Sequence, residues 1–358
     1  MTRIVVHDTI ALFQPLFTSR DRPKALFSRA EQIFSPQGFM SRLNHELTDR
    51  RRNGFDVMSA AQYDGYEALL GQQGWGLFNP SRSRDASDWE FAQYQRVAML
   101  EQIERAVAEC VRRLELTEEQ AVCLPQIQCF LLPADPANRT FMALNHGLSG
   151  FGGAPGFVLL RVWPCAGNLA RVPAVLARLV ANNLRQAARR EGLLTLGDWL
   201  VLEGLSAAFV EAAGVPLSAA PWLVAFAKPD DWDQALSDVA QFYQLASYND
   251  LVVNVYGGQV PIGDERPPEA APLDPEDLEY ASAIIKAALD VSNATTIAAY
   301  MYGDAIVAMQ GHPAVGLPPY AGFEVGYRLV QEYLRQSGQS LSEAMVMSSQ
   351  KLLGRVVE

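Results

Sequence analysis

The sequence predicts an α+β protein, and three observations carry that reading. A long amphipathic run, roughly Trp89 to Leu114, repeats its apolar residues at helical spacing. Three short apolar segments follow, "VCLPQIQCFLLP", "TFMALNHGLSG" and "FVLLRVWP", each bounded by Pro or Gly as the strands of one sheet are. Two apolar helical stretches then succeed one another, roughly Val172 to Arg190 and Leu196 to Ala213. Helices, a small sheet, paired core helices and further helices make an α+β order rather than the strict alternation of a parallel α/β protein.

Taken in order, the first 85 residues show short helical patterns interrupted by turn signals. In "NPSRSRDASD", Ser87 or Asp88 is placed to cap the long helix. Gly147, Gly150, Gly152, Gly153 and Gly156 punctuate the connection between the second and third expected strands. A further helix is expected near Trp232 to Ala246. The acidic, Pro-rich "VPIGDERPPEAAPLDPEDLE" is expected to run over the surface, and from Leu278 onward the chain is again mainly helical. This divides the protein into a helical N-terminal region, 1–115, and a second domain, 116–358, with one continuous domain as the alternative.

Composition excludes several classes of function. A net charge of −11, with no basic run longer than Arg50 to Arg52, argues against a nucleic-acid partner, which needs a basic patch or stripe. No apolar run reaches membrane-spanning length. The opening "MTRIVVHDTIALFQPLF" is broken by His7, Asp8 and Gln14 and lacks the apolar core of a signal peptide. Cys110, Cys123, Cys129 and Cys165 show no CxxC pairing. Reduced thiols in a cytoplasmic protein are therefore expected.

The chemistry concentrates in two neighbouring helical stretches. "TLGDWLVLEGLSAAFVEAAG" puts Glu203 in an apolar run, with Trp199, Leu200, Ser206 and Ala207 as its neighbours one turn away. A carboxylate there is costly to bury unless a metal or a guanidinium from off the helix meets it. The preceding stretch, "VANNLRQAARREG", offers amides and arginines.

Strand and Gly-rich edge, then a helix, then "EGLxxxF" resembles the bacterial predicted zinc-dependent proteases of the zincin superfamily, gluzincin subgroup. "AYMYGD" at Ala299 to Asp304 and "YAGFEVGYRLVQEYLRQSGQSLSEAM" are similar to that family's closing segment. The resemblance covers roughly residues 120 to 350 and is weak over the first hundred. It implies a zincin-like metallopeptidase fold, with a small sheet packed on core helices.

In such a fold, HExxH sets two imidazoles one turn apart on a zinc, and its Glu activates the metal-bound water. Carried over by the resemblance, Asn182 and Gln186 stand at the two histidine-ligand positions, Asn183 at the general-base position and Glu203 at the carboxylate-ligand position. Only Glu203 keeps its chemistry. Amide oxygens are weak neutral ligands, and an amide cannot accept the proton of bound water near neutral pH. The resemblance therefore implies peptidase ancestry with a degenerate zinc motif.

Three functional readings follow. The first is a catalytically inactive pseudo-peptidase that binds a peptide or protein and holds no cofactor, with Arg185 or Arg189 paired to Glu203 where zinc would sit. The second is a metal-dependent hydrolase with a rebuilt zinc site, using Glu203 and distant groups such as His146, His312 or Asp304. The third is a purely structural role. Tyr302 and Tyr327 are further cleft candidates, as donors to an oxyanion or as packing residues. His45, Glu46 and Asp49 imitate a zinc motif, but "SRLNHELTDRRRNG" reads as a solvated helix face. "GLSGF" around Ser149 lacks the last Gly of a nucleophile elbow, and the Gly cluster lacks a phosphate-binding pattern.

Overall fold

The computed structural model describes residues 2–7, 9–18, 28, 88–96, 99–188, 195–215, 217, 220–255, 268–309 and 311–357. The expected cap at Ser87 and the triplet His45, Glu46 and Asp49 lie outside them, as do Arg189 and much of the Pro-rich stretch.

Four strands form one mixed sheet in the order β1-β2-β4-β3. β1 (Arg3–His7) lies parallel to β2 (Gln126–Pro133), with Arg3 opposite Gln126 and His7 opposite Phe130. β2 in turn lies parallel to β4 (Phe157–Val162), and β3 (Leu148–Ala154) closes the far edge antiparallel to β4. All six residues of β4 are buried, as a central strand covered on both faces requires.

Two expectations are corrected. "TFMALNHGLSG" is not one strand. Asn138 caps a short helix by accepting from the Phe141 amide, His146 and Gly147 take left-handed backbone (φ 50° and 73°) that ends it, and β3 begins only at Leu148. The N-terminal stretch, expected to be helical, opens with β1, whose "RIVVH" is rich in β-branched residues.

The helices before and within the sheet are α1 (Thr9–Thr18), α2 (Asp88–Arg96), α3 (Met99–Arg113), α4 (Glu118–Cys123) and α5 (Arg139–Asn145). The expected long helix thus appears as α2 and α3, with residues 97–98 undescribed between them. α3 turns Met99, Ile103, Val107 and Cys110 inward at spacings of four, four and three, burying one stripe.

Two helices dominate the interior. α6 (Ala166–Ala188) starts six residues before its expected position and carries Pro173 in its third turn; α7 (Leu196–Ala212) follows. Thr195 and Asp198 form a reciprocal capping box that fixes the start of α7. α8 (Trp232–Phe242), α9 (Tyr248–Asn254), α10 (Pro275–Lys286), α11 (Ala294–Tyr302), α12 (Asp304–Ala308), α13 (Ala321–Ser337), α14 (Leu341–Val346) and α15 (Ser349–Val357) complete the described chain.

α7 is apolar nearly all round, as a helix buried between α6 and α13 should be. Its approach to α13 depends on two glycines. A Cβ at Gly204 would lie 2.2 Å from the Gly326 carbonyl oxygen, and one at Gly326 would lie 2.5 Å from that of Leu200. The small residues let the two backbones touch, which seats Glu203 deep in the interior.

Candidate functional site

On α6, residues 178, 182 and 186 recur every four positions and share one face. α7 crosses beside that face and delivers Glu203, whose side chain is 7% exposed. The carboxylate is held by Arg178, one turn before Asn182: Nε donates to Oε2 at 2.9 Å and Nη2 to Oε1 at 2.8 Å. Both oxygens are occupied by the planar fork of the guanidinium, the strongest pairing a carboxylate finds among side chains.

This corrects the expected pairing. Arg185 points away from Glu203, toward the C-terminal segment, and donates to the carbonyls of Ala344, Met345 and Met347 and to the Ser349 hydroxyl. That hydroxyl donates onward to Asp198 at 2.5 Å. Position 178 lies one turn before Asn182 on the same face, so helical spacing makes Arg178 a candidate beside Arg171 and Arg185 without choosing among them.

The amides at the remaining positions are also committed. The Ser206 hydroxyl bonds Asn182 Oδ1 and lies 2.7 Å from the Leu202 carbonyl. Asn183 faces the sheet: its amide nitrogen meets the carbonyls of Gly152, Ala154 and Phe157 at 3.1, 2.7 and 2.8 Å, and its oxygen accepts from the Gly156 amide at 2.9 Å. Asn183 therefore ties the β3–β4 turn to α6. Gln186 is buried on the same helix.

Tyr302 lies beside the ion pair. Burial raises its phenol above the ordinary value, with the charges of Arg178 and Glu203 acting on it in opposite directions. Its ring packs 5.8 Å from Phe226 and 5.2 Å from Phe323. Tyr327 belongs to a different group: its hydroxyl donates to Glu211 at 2.7 Å, its ring lies 4.8 Å from Trp222, and burial pushes it up to about 12.

The residues considered for a rebuilt metal site do not gather around Glu203. Asp304 closes its own loop, accepting from the amides of Val315 and Gly316 at 2.8 to 3.1 Å. His312 sits in that loop, its amide bonded to the Val307 carbonyl. His146 ends α5 with its ring edge-on to Trp232 at 5.3 Å, and burial, helped by the Arg171 charge, lowers it to about 4. Among the described residues there is no group of three or more His, Cys, Asp or Glu placed to hold a metal ion.

The donor set therefore does not fit zinc. It comprises one carboxylate already paired on both oxygens and three neutral amides, two of them held by protein partners.

The described residues thus form an α+β scaffold around a paired-helix site that closes on a buried ion pair. The chain belongs to the family described as "Predicted Zn-dependent protease (DUF2268)", which matches residues 102–261 and 262–354. It is also 25% identical over 358 residues to "Uncharacterized protein YjfC" of Bacillus subtilis (strain 168), covering 98% of this chain and 97% of that protein. No solved structure matches significantly. No helix among the described residues is long and apolar enough to cross a membrane.

Proposed function

We propose that this protein is a non-catalytic member of its family, a pseudo-peptidase on a zincin-like, gluzincin-type scaffold whose cleft binds a peptide or protein. The observation that carries the reading is the bidentate Arg178–Glu203 pair, which supplies the buried carboxylate with a cation and leaves it no free oxygen for a metal. The edge strand β3 supports the binding half of the reading. Among the described residues it pairs only with β4, and an extended peptide can add to such an edge. We place the protein in the cytoplasm, on three buried unpaired thiols, Cys110, Cys129 and Cys165, whose burial raises them to between about 11 and about 12.

Elemental mass spectrometry of the purified protein, with and without added zinc and beside a Glu203→Ala variant, tests the proposal. No bound metal in either protein is the expected result. Near-stoichiometric zinc that disappears in the variant overturns it.

A further inference from the structure

Glu203 is satisfied on both oxygens, but the polar groups around it are not. Arg178 spends Nε and Nη2 on the carboxylate; its side chain keeps 13% of its surface, and Nη1 makes no hydrogen bond among the described residues. Gln186, two turns further along the same face of α6, is 6% exposed, and its amide makes none either. Ser206 engages Oδ1 of Asn182 and leaves Nδ2 without a partner. The Tyr302 hydroxyl, beside the ion pair, is also unbonded among the described residues. None of these atoms is sealed in the interior as Trp163 Nε1 and Asn168 Oδ1 are, so each is open to a group arriving from solvent.

A polar group left without a partner in so buried a place is costly, and a ligand that meets several at once recovers that cost. Charge narrows its identity. The guanidinium and the carboxylate cancel, so an ion entering the site would lose its hydration with no opposite charge left to meet it. Hydrogen-bonding capacity narrows it further. Arg178 Nη1 and Asn182 Nδ2 can only donate, and they stand one turn, about 6 Å, apart along α6, the span of two hydrogen bonds sharing one acceptor. Gln186, one turn beyond, also offers an acceptor. The uncharged group that carries both a carbonyl oxygen and an N–H is a carboxamide.

We propose that this site binds a neutral carboxamide, its carbonyl oxygen on Arg178 Nη1 and Asn182 Nδ2 and its N–H on the amide oxygen of Gln186. The inference rests on the peptide-binding reading above and names the part of the ligand that enters: an internal peptide group or an Asn or Gln side chain, not a charged terminus.

Heteronuclear NMR of the isotopically labelled full-length protein tests it, with N-acetylalanine N-methylamide, propionamide, acetate and methylammonium as probes. The Gln186 side-chain signal is assigned by its absence in Gln186→Met, a variant that gives up no hydrogen bond among the described residues and keeps the buried volume. Both amides should move that signal saturably, and both ions should bind at least about tenfold more weakly. Tighter binding of propionamide supports the site with a side-chain amide as its natural group; tighter binding of the dipeptide analogue supports it with the backbone. Amide affinity should fall about tenfold in Arg178→Lys, which keeps a cation for Glu203 but loses the free nitrogen, and likewise in Gln186→Met, read there from the α6 backbone amides. Acetate binding as tightly as the amides, a Gln186 signal that no amide moves, or affinities unchanged in both variants overturns the site. If the dipeptide analogue moves the β3 amides while Gln186 stays still, the site falls and the peptide reading at the sheet edge stands. Zinc uptake that depends on Glu203 defeats the pseudo-peptidase reading whatever the amides do.

Discussion

Arg178 and Arg185 stand one heptad apart on the same helix, the first partly and the second fully buried, and they solve opposite problems. Arg178 answers a charge: Glu203 is enclosed by apolar α7, and the guanidinium neutralises it in a two-pronged contact. Arg185 answers carbonyls at a helix end: those of Ala344, Met345 and Met347 close α14 beside it, and one guanidinium collects them. The two therefore differ in what their loss leaves behind. Without Arg178 a buried anion remains, while without Arg185 what remains are neutral acceptors and a loosened C-terminal segment.

That difference sets the order of expected effects. Arg178→Ala should be the most damaging change, by roughly 3–5 kcal/mol, because removing one partner of a buried pair strands the other. Equilibrium denaturation of the double variant Arg178→Met/Glu203→Leu should recover much of the loss. If the double variant is as unstable as the single ones together, the pair is not the coupled unit described here. Arg185→Met should cost less, about 3 kcal/mol, the worth of one or two charge-assisted bonds. Its signature is local: limited proteolysis should cut α14 and α15 away before the rest of the chain. Simultaneous loss of all regions would contradict the stapling role.

Asn183 supplies a third test, on the sheet side of α6. Asn183→Ala removes the amide that binds three carbonyls and the Gly156 amide, and about 2 kcal/mol should be lost. Asn183→Glu, which places a carboxylate at this position, should be at least as harmful, since a carboxylate presents acceptors to carbonyls that need a donor. A stable, well-folded Asn183→Glu protein would show that the residue faces the cleft instead, and would reopen the catalytic question.

The main helices were legible because burial and periodicity coincide there: α7 matches its expected span to within a residue, and α3, α6 and α8 were expected near where they lie. Glu203 stood out for the same reason, as the one acid in an apolar run. What escaped depended on contacts distant in sequence. "RIVVH" has the β-branched residues of a strand, but five residues become one only because β2 offers them an edge 123 residues away. "TFMALN" carries strand-forming residues, yet a single cap at Asn138 and a left-handed His146 decide for a helix. The partner of Glu203 was missed for a third reason. Three arginines of α6 recur every seven residues, at 171, 178 and 185, and spacing alone cannot say which one meets a helix packed across that face.

The remaining arginine of this series gives the smallest expected effect and the sharpest sign. Arg171 adds to the burial that lowers His146 from 6.5 to about 4. In the unfolded chain the imidazole takes up its proton near its ordinary value, while in the folded protein it stays neutral until far lower pH. The unfolded state thus binds more protons between those two values, and stability must fall as pH drops through that window. Between pH 7 and pH 5.5 the loss from this group should be roughly 1 kcal/mol. His146→Asn, which tolerates the left-handed backbone at this position, should remove that part of the slope in denaturation curves measured across the interval. An unchanged slope would mean that His146 takes up its proton equally readily in the folded and unfolded states, against the lowering described here.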